Sequence, residues 1–314
     1  MLARCVQSIR LKEQPPGPRV RPSPSTLAAT SRLFSSAVVR DLATTGRSNL
    51  FARLLGETEL LGAIAPMSTV ADIFEAAFAF LRLGEARDEY VYKAALTHKV
   101  LLGKHSLRTA CMLNEFRAGA CKADMVILNG TATVYEIKSE RDSLSRLERQ
   151  LAAYRPLFPS VFVIAGENHV GAVMQRVGPD DGVLQLSKRH QISVVKPAVD
   201  RPHRVDPMAV LDALRADEAK ALLSDLGVPV PDVPNTRLHA VLRDAFQELS
   251  PLAAHKGMVD VLKRKRDLRP LGDLIDQLPP SLQPAALSVR LRKVDHDRLV
   301  RAVETPVADA MAWA

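Results

Sequence analysis

The residues of this chain whose types and spacing could do chemistry lie in KADMVILNGTATVYEIKSE: Asp124, Glu136 and Lys138. In an extended strand successive side chains alternate faces at a rise of about 3.3 Å, so Glu136 and Lys138 share one face while Tyr135 and Ile137 take the other. Asn129-Gly130, with alternating apolar residues on both sides, is a strong hairpin signal because both residues tolerate positive φ. The strand of Asp124 is therefore expected beside that of Glu136, which brings two carboxylates and one lysine together. Burying such charges without partners costs several kcal/mol, so the cluster calls for a cation or for solvent. Two oxygen ligands suit a hard ion such as Mg²⁺.

Other elements must hold these three residues in place. Ser106 to Arg117 reads as a helix, with Glu115 near its end in CMLNEFRAG and Gly119 stopping it before the first strand. Taken alone, Glu115 is an ordinary surface acid. After Lys138, Leu144, Leu147, Leu151, Tyr154 and Leu157 mark the apolar face of a helix, on which Gln150 and Tyr154 stand four apart and so on one side. VFVIAG (161–166) is a short buried strand, and GVLQL and QISVV complete a sheet of about five strands. Helical periodicity also runs through 31–61, through 68–83 behind the capping pair Thr69-x-x-Asp72, and through 86–102.

Pro197, Pro202 and Pro207 make a linker before four helical patterns, 208–226, 236–249, 251–266 and 284–303. The expected organisation is a disordered tail over 1–31, a helical segment over 32–104, an α/β core over 105–197 and an all-helical domain over 198–314. The last contains the densest basic cluster of the chain, Lys263, Arg264, Lys265 and Arg266. This cluster is a candidate for phosphate contact, although a charge run on a helix is more often a solvated face.

With 314 residues, 47% hydrophobic and 25% charged, the chain is globular and long enough for two ordinary domains. Its 43 Lys and Arg against 35 Asp and Glu give a formal charge of +8, which favours a polyanionic partner. Cys5, Cys111 and Cys121 form no CxxC pair, so free thiols in a reducing, cytoplasmic compartment are expected. No window reaches the roughly 18 apolar residues of a membrane span. Within the first 40 residues Glu13 is the only acid, a composition shared by flexible tails and organellar transit peptides. His98 and His105 fit no zinc spacing, and no phosphate-binding Gly-rich loop ending in Lys-Ser/Thr is present, so no ATP-driven motor is expected in this chain.

Taken in order, Glu115, Asp124, Glu136-x-Lys138 and Gln150-x-x-x-Tyr154 resemble the PD-(D/E)XK nuclease superfamily, in its branch with a Gln-x-x-x-Tyr helix. The stretch YEIKSERDSLSRLERQLAAY is further similar to a family of uncharacterised bacterial proteins with an EIKSE-D-L-RL-Q-Y signature. By motif the resemblance covers about 105–195. Ala123 stands where the superfamily's proline would be, and the iron–sulfur cysteines of some relatives are missing. Neither departure removes a metal ligand.

The resemblance implies a restriction-endonuclease-like core of mixed sheet and flanking helices, and a Mg²⁺- or Mn²⁺-dependent nuclease acting on DNA, with RNA the other candidate, in genome defence or repair. Asp124 and Glu136 would hold the ion, helped by the Ile137 carbonyl, and Lys138 would orient the attacking water. Glu115 would serve a second ion or the first ion's water, while Gln150 and Tyr154 would contact phosphate or buttress Lys138. The alternative is a catalytically silent nucleic-acid-binding or regulatory module of the same fold. A protein partner recruited by the helical C-terminal half is compatible with either.

Overall fold

The computed structural model describes residues 23–83 and 86–314. Five helices come first: α1 (Pro24–Arg32), α2 (Ser36–Thr45), α3 (Asn49–Gly56), α4 (Val70–Leu81) and α5 (Glu89–Leu96). Strands β1 (Cys111–Ala118), β2 (Cys121–Leu128) and β3 (Ala132–Lys138) follow, then α6 (Leu147–Tyr154), β4 (Ser160–Gly166), α7 (Glu167–Met174), β5 (Gly182–Leu186) and β6 (Ile192–Lys196). The remainder is helical: α8 (Pro207–Ala213), α9 (Ala216–Asp225), α10 (Asn235–Gln247), α11 (Pro251–Lys265), α12 (Gly272–Gln277), α13 (Gln283–Leu287), α14 (Lys293–Glu304) and α15 (Val307–Met311).

The N-terminal boundary differs from expectation. Residues 24–31, counted with the proline-rich tail before them, form the greater part of α1, whose Leu27, Ala29 and Thr30 are buried. Ser23 caps the helix and Pro24 occupies its first turn, where a missing N–H costs nothing and the fixed φ is already helical. The transit-peptide reading of the segment before it lies outside the described residues. The capping box of Thr69 and Asp72 forms as expected.

The strands make one six-stranded mixed sheet in which spatial order follows chain order. β1, β2 and β3 are antiparallel, β3, β4 and β5 are parallel, and β6 returns antiparallel to β5. The extra strand is β1. The expected helix over 106–117 does not form; Cys111–Ala118 is extended and joined to β2 by a tight turn at Gly119, which has φ +58°. The Asn129-Gly130 hairpin is present, with Leu128 paired to Ala132 and Gly130 at φ +107°.

Helices cover both faces. On one, α1–α5 and α12–α15 pack against Met112, Met125, Ile127, Tyr135 and Ile137. On the other, α6 and α8–α11 pack against Leu113, Phe116, Ala123, Val126 and Val134. The helices after residue 198 are thus divided between the two faces, with the sheet between them.

An irregularity in β1 and β2 positions the site. In β1, Cys111 and Leu113 face the α6 layer, and so do Phe116 and Ala118, which breaks strict alternation. In β2, Cys121 and Ala123 face that layer, and so do Val126 and Leu128. Each strand therefore holds one residue more than alternation allows: Glu115 in β1 and Asp124 in β2. The register steps from Asn114↔Met125 to Phe116↔Ala123 and leaves these two unpaired, with Glu115 at φ +50°. A β-bulge ordinarily lengthens one strand of a pair. Here both are lengthened at the same level, so the register survives and the side-chain phase shifts in both.

Candidate active site

β3 lies in the interior of the sheet, where parallel strands covered on both faces are normally apolar throughout, as VFVIAG of β4 is. Nevertheless it carries Glu136 at 1% and Lys138 at 6% exposure. Both face the α6 layer with Val134, as two-residue alternation requires.

The β2–β3 ladder ends at Met125↔Tyr135. Beyond it the Ile137 N–H donates to the Asp124 side chain, Oδ2, at 2.7 Å. Asp124 thus takes the place of a backbone acceptor where the two strands part. In extended backbone the N–H and C=O of one residue point to the same side, so the Ile137 carbonyl faces Asp124 as well.

The remaining residues close around Glu136. Lys138 Nζ donates to Glu136 Oε1 at 2.7 Å and to Gln150 Oε1 at 3.0 Å. The Tyr154 hydroxyl donates to Glu136 Oε2 at 2.7 Å, with the Lys122 carbonyl also in reach at 2.9 Å. Leu147, Leu151 and Tyr154 are fully buried against the sheet, which fixes α6 and sets Gln150 over Lys138. Asp124, Glu136, Lys138, Gln150 and Tyr154 are therefore brought together.

The charges are not balanced. Two carboxylates face one ammonium, and the Asp124 carboxyl is pushed up to about 8, first by burial and then by the charge of Glu136. The Ile137 N–H and Lys138 oppose this shift only in part. The Tyr154 hydroxyl is held far above its usual range by burial and by Glu136, so it stays a donor.

Glu115 does not join the cluster. It lies on a strand, not a helix, its side chain is 67% exposed, and it pairs with Lys122 at 3.3 Å. The helix-borne acid whose charge bears on Asp124 is Glu89, in the first turn of α5 and paired with Lys93 at 2.6 Å. The sequence analysis does not single it out: Glu89 and Lys93 stand four apart, the spacing of an ordinary ion pair along a helix.

The basic run at the end of α11 is bound within the protein. Lys263 Nζ donates to the Thr109 carbonyl at 2.9 Å, Arg264 meets Asp225 at 2.7 Å, Lys265 meets Asp217 at 2.9 Å and Arg266 meets Glu218 at 3.0 Å. Arg266 also lies over the Phe116 ring, 5.3 Å from its centroid.

Fold and site together define an α/β protein with a mixed sheet, helices on both faces and a buried carboxylate–lysine cluster where two central strands diverge. Residues 83–267, more than half of the chain and the stretch from α5 to α11, match the family described as Bacteriophage P4 protein cII. The chain belongs to that family. Protein cII of Enterobacteria phage P4 is 30% identical over 133 residues, covering 41% of this chain and 50% of its own length, so the chain spans about half of this curated relative. A solved structure of a Silicibacter pomeroyi protein of unknown function overlaps 40% of this chain and 87% of its own at 16% identity, with a TM-score of 0.27.

Proposed function

We propose that this protein is a metal-dependent nuclease that hydrolyses phosphodiester bonds of DNA. The observation that carries the reading is the convergence of Asp124, Glu136 and Lys138 on the gap between β2 and β3, with Gln150 and Tyr154 behind them. These are the residues, and nearly the order, that the PD-(D/E)XK resemblance implies.

The donor set fits a divalent cation. Burial first, and then the charge of Glu136, hold a proton on Asp124 up to about pH 8, and a cation between the two carboxylates relieves what one ammonium does not. Only Oδ2 of Asp124 is engaged, by a backbone N–H. Among the described residues no group of three or more His, Cys, Asp and Glu side chains could hold a metal. The ligands would therefore be Asp124, Glu136, the Ile137 carbonyl and water, a water-rich shell of the kind Mg²⁺ keeps. When bound, Mg²⁺ or Mn²⁺ would polarise the scissile phosphate and make a water acidic enough to attack it.

The side chains have distinct parts in this reaction. Lys138, a compact ammonium on a flexible stem, orients the water and meets the charge that develops on the phosphoryl oxygens. Gln150 Oε1 accepts a hydrogen bond from the ammonium and so fixes its direction. Tyr154 holds the far oxygen of Glu136 and keeps that carboxylate turned toward the gap.

One observation favours a second reading, a silent nucleic-acid-binding or regulatory module. Both oxygens of Glu136 and Oδ2 of Asp124 already have partners within the chain, as a purely structural polar network would require. Incubation of the full chain with linear, circular and single-stranded DNA plus Mg²⁺ or Mn²⁺, beside the Asp124→Ala/Lys138→Ala double variant, separates the two. Cleavage that needs both residues supports the nuclease. Cleavage that survives their loss, or binding without cleavage, overturns it.

A further inference from the structure

The two edges of the sheet are finished differently. β1 is kinked at Glu115 and tied to the helical layers: the Asn114 amide donates to the Ser288 hydroxyl at 2.8 Å, the Cys111 thiol to the Arg266 carbonyl at 2.9 Å and Lys263 to the Thr109 carbonyl at 2.9 Å. A kink and a cover are common ways to keep an edge from pairing. At the other edge, β6 pairs among the described residues with β5 alone. Its Ser193 is exposed, Val194 is 60% exposed and Val195 41%.

The turn before β6 fixes which of its backbone groups are free. The Ser187 N–H donates to the Gln191 carbonyl at 2.9 Å and the His190 N–H to the Ser187 carbonyl at 3.0 Å, with His190 at φ +59°. This is a three-residue hairpin loop, closed by a hydrogen-bonded Ser187–Gln191 pair. Bonded and non-bonded pairs alternate along an antiparallel ladder, so Gln185↔Ser193 is the next bonded pair. Ile192 and Val194 therefore turn their N–H and C=O away from β5. Val195 is the extra residue where the register steps from Leu184↔Val194 to Val183↔Lys196, and it ends the regular edge.

We propose that β6 pairs with β6 of a second copy of this chain, antiparallel about a two-fold axis at Ser193, so that the two sheets become continuous. Ile192 then forms a bonded pair with the partner's Val194, and Val194 with the partner's Ile192. All the outward groups of both residues are satisfied, and each exposed valine gains an apolar neighbour across the strands. The inference is independent of the nuclease reading.

Charge selects a second copy in this orientation. Lys188 and Arg189, both exposed, precede the strand, and among the described residues neither side chain meets a carboxylate. Asp200 follows the strand, also exposed; it accepts from the Ser160 hydroxyl at 2.7 Å and among the described residues meets no cation. Antiparallel pairing about Ser193 lays Lys188 and Arg189 of each chain beside residues 197–200 of the other, with the partner's Asp200 within a diagonal reach. Parallel pairing would set cation beside cation. The other charges nearby are held by their own chain: Arg201 meets Asp180 at 3.1 Å, Lys196 Nζ donates to the Gly178 carbonyl at 2.5 Å, and the His190 ring lies 5.7 Å from that of Phe78.

Light scattering on the full chain from about 1 to 500 µM should show monomer passing to dimer, because a short edge interface is weak and follows mass action. Val194→Pro removes an N–H that takes no part in the β5 ladder, a change edge strands tolerate. It should leave urea unfolding nearly unchanged and weaken the dimer at least tenfold. Lys188→Glu and Asp200→Lys should each weaken self-association about tenfold, since each turns two symmetric attractions into repulsions. An equimolar mixture of these two variants should recover it, because every contact of the mixed dimer again joins opposite charges. A chain that stays monomeric throughout, a dimer that survives Val194→Pro, or a mixture no tighter than its components would overturn the proposal.

Discussion

The chain has two concentrations of charge, and they are built on opposite plans. At the end of α11, Lys263, Arg264, Lys265 and Arg266 stand in a row, and each meets its own oxygen partner from α9 or from Thr109. In β3 there are only Glu136 and Lys138, but both are buried, and Asp124 adds a second carboxyl whose charge, once it ionises, nothing matches. Density of charge marks the first region and mismatch of charge the second. A matched row is already neutralised and holds helices together. A buried mismatch is a standing demand for a ligand, and chemistry is more reasonably sought there.

The comparison breaks most visibly at Lys138. Lys138→Ala should lower cleavage about 10²–10³-fold, the effect of removing one group that meets charge in the transition state. Single-turnover assays with labelled DNA read this directly, and a loss below tenfold would remove Lys138 from the mechanism.

The mismatch also has a pH signature. Below about pH 4 Asp124 is protonated in both folded and unfolded chains; between 4 and 8 the unfolded chain releases the proton first, since its carboxyl has the ordinary value of 3.8 and the folded one lies near 8. The metal-free protein should therefore lose stability as pH rises through that window. Apparent Mg²⁺ affinity should climb toward pH 8 and level off above it, because binding displaces the proton. Asp124→Asn keeps an oxygen for the Ile137 N–H and should abolish both trends, as urea unfolding and calorimetric titration at several pH values would show.

Smaller effects test the supports. Tyr154→Phe leaves Glu136 Oε2 without its donor and should cost about 1–3 kcal/mol in urea unfolding. In the matched row, Lys263→Ala and Lys265→Ala remove ammonium groups whose bonds are open to solvent and should each cost less than about 1 kcal/mol, with DNA affinity changed less than about twofold. A marked loss of affinity would show that the row reaches phosphate after all. The smallest effect is expected at Glu115→Gln, within about twofold of wild type in cleavage, since its exposed carboxylate meets only Lys122.

Much of the site could be read from local pattern. Alternation put Glu136 and Lys138 on one face, Asn129-Gly130 announced the hairpin, and helical spacing put Gln150 beside Tyr154. The structure keeps all three. β1 was misread for a reason its own geometry supplies. The phase shift at Glu115 buries Leu113 and Phe116 three apart, a helical spacing, and Gly119 looks like the glycine that ends a helix. Glu89 and the partners of the basic row were hidden by distance, since the acids that neutralise Arg264, Lys265 and Arg266 lie 39 to 48 residues away in sequence.

The paired extra residues in β1 and β2 bear on how this sequence can change over generations. Losing Glu115 alone, or Asp124 alone, would slip one strand against the other by a residue and turn part of a buried face outward. Losing both would leave a regular hairpin with its apolar faces intact and its acid gone. The fold therefore offers a short path from site to plain scaffold, and that path consists of one coupled event. A relative in which the β2 position of Asp124 has been deleted should lack the β1 position of Glu115 as well.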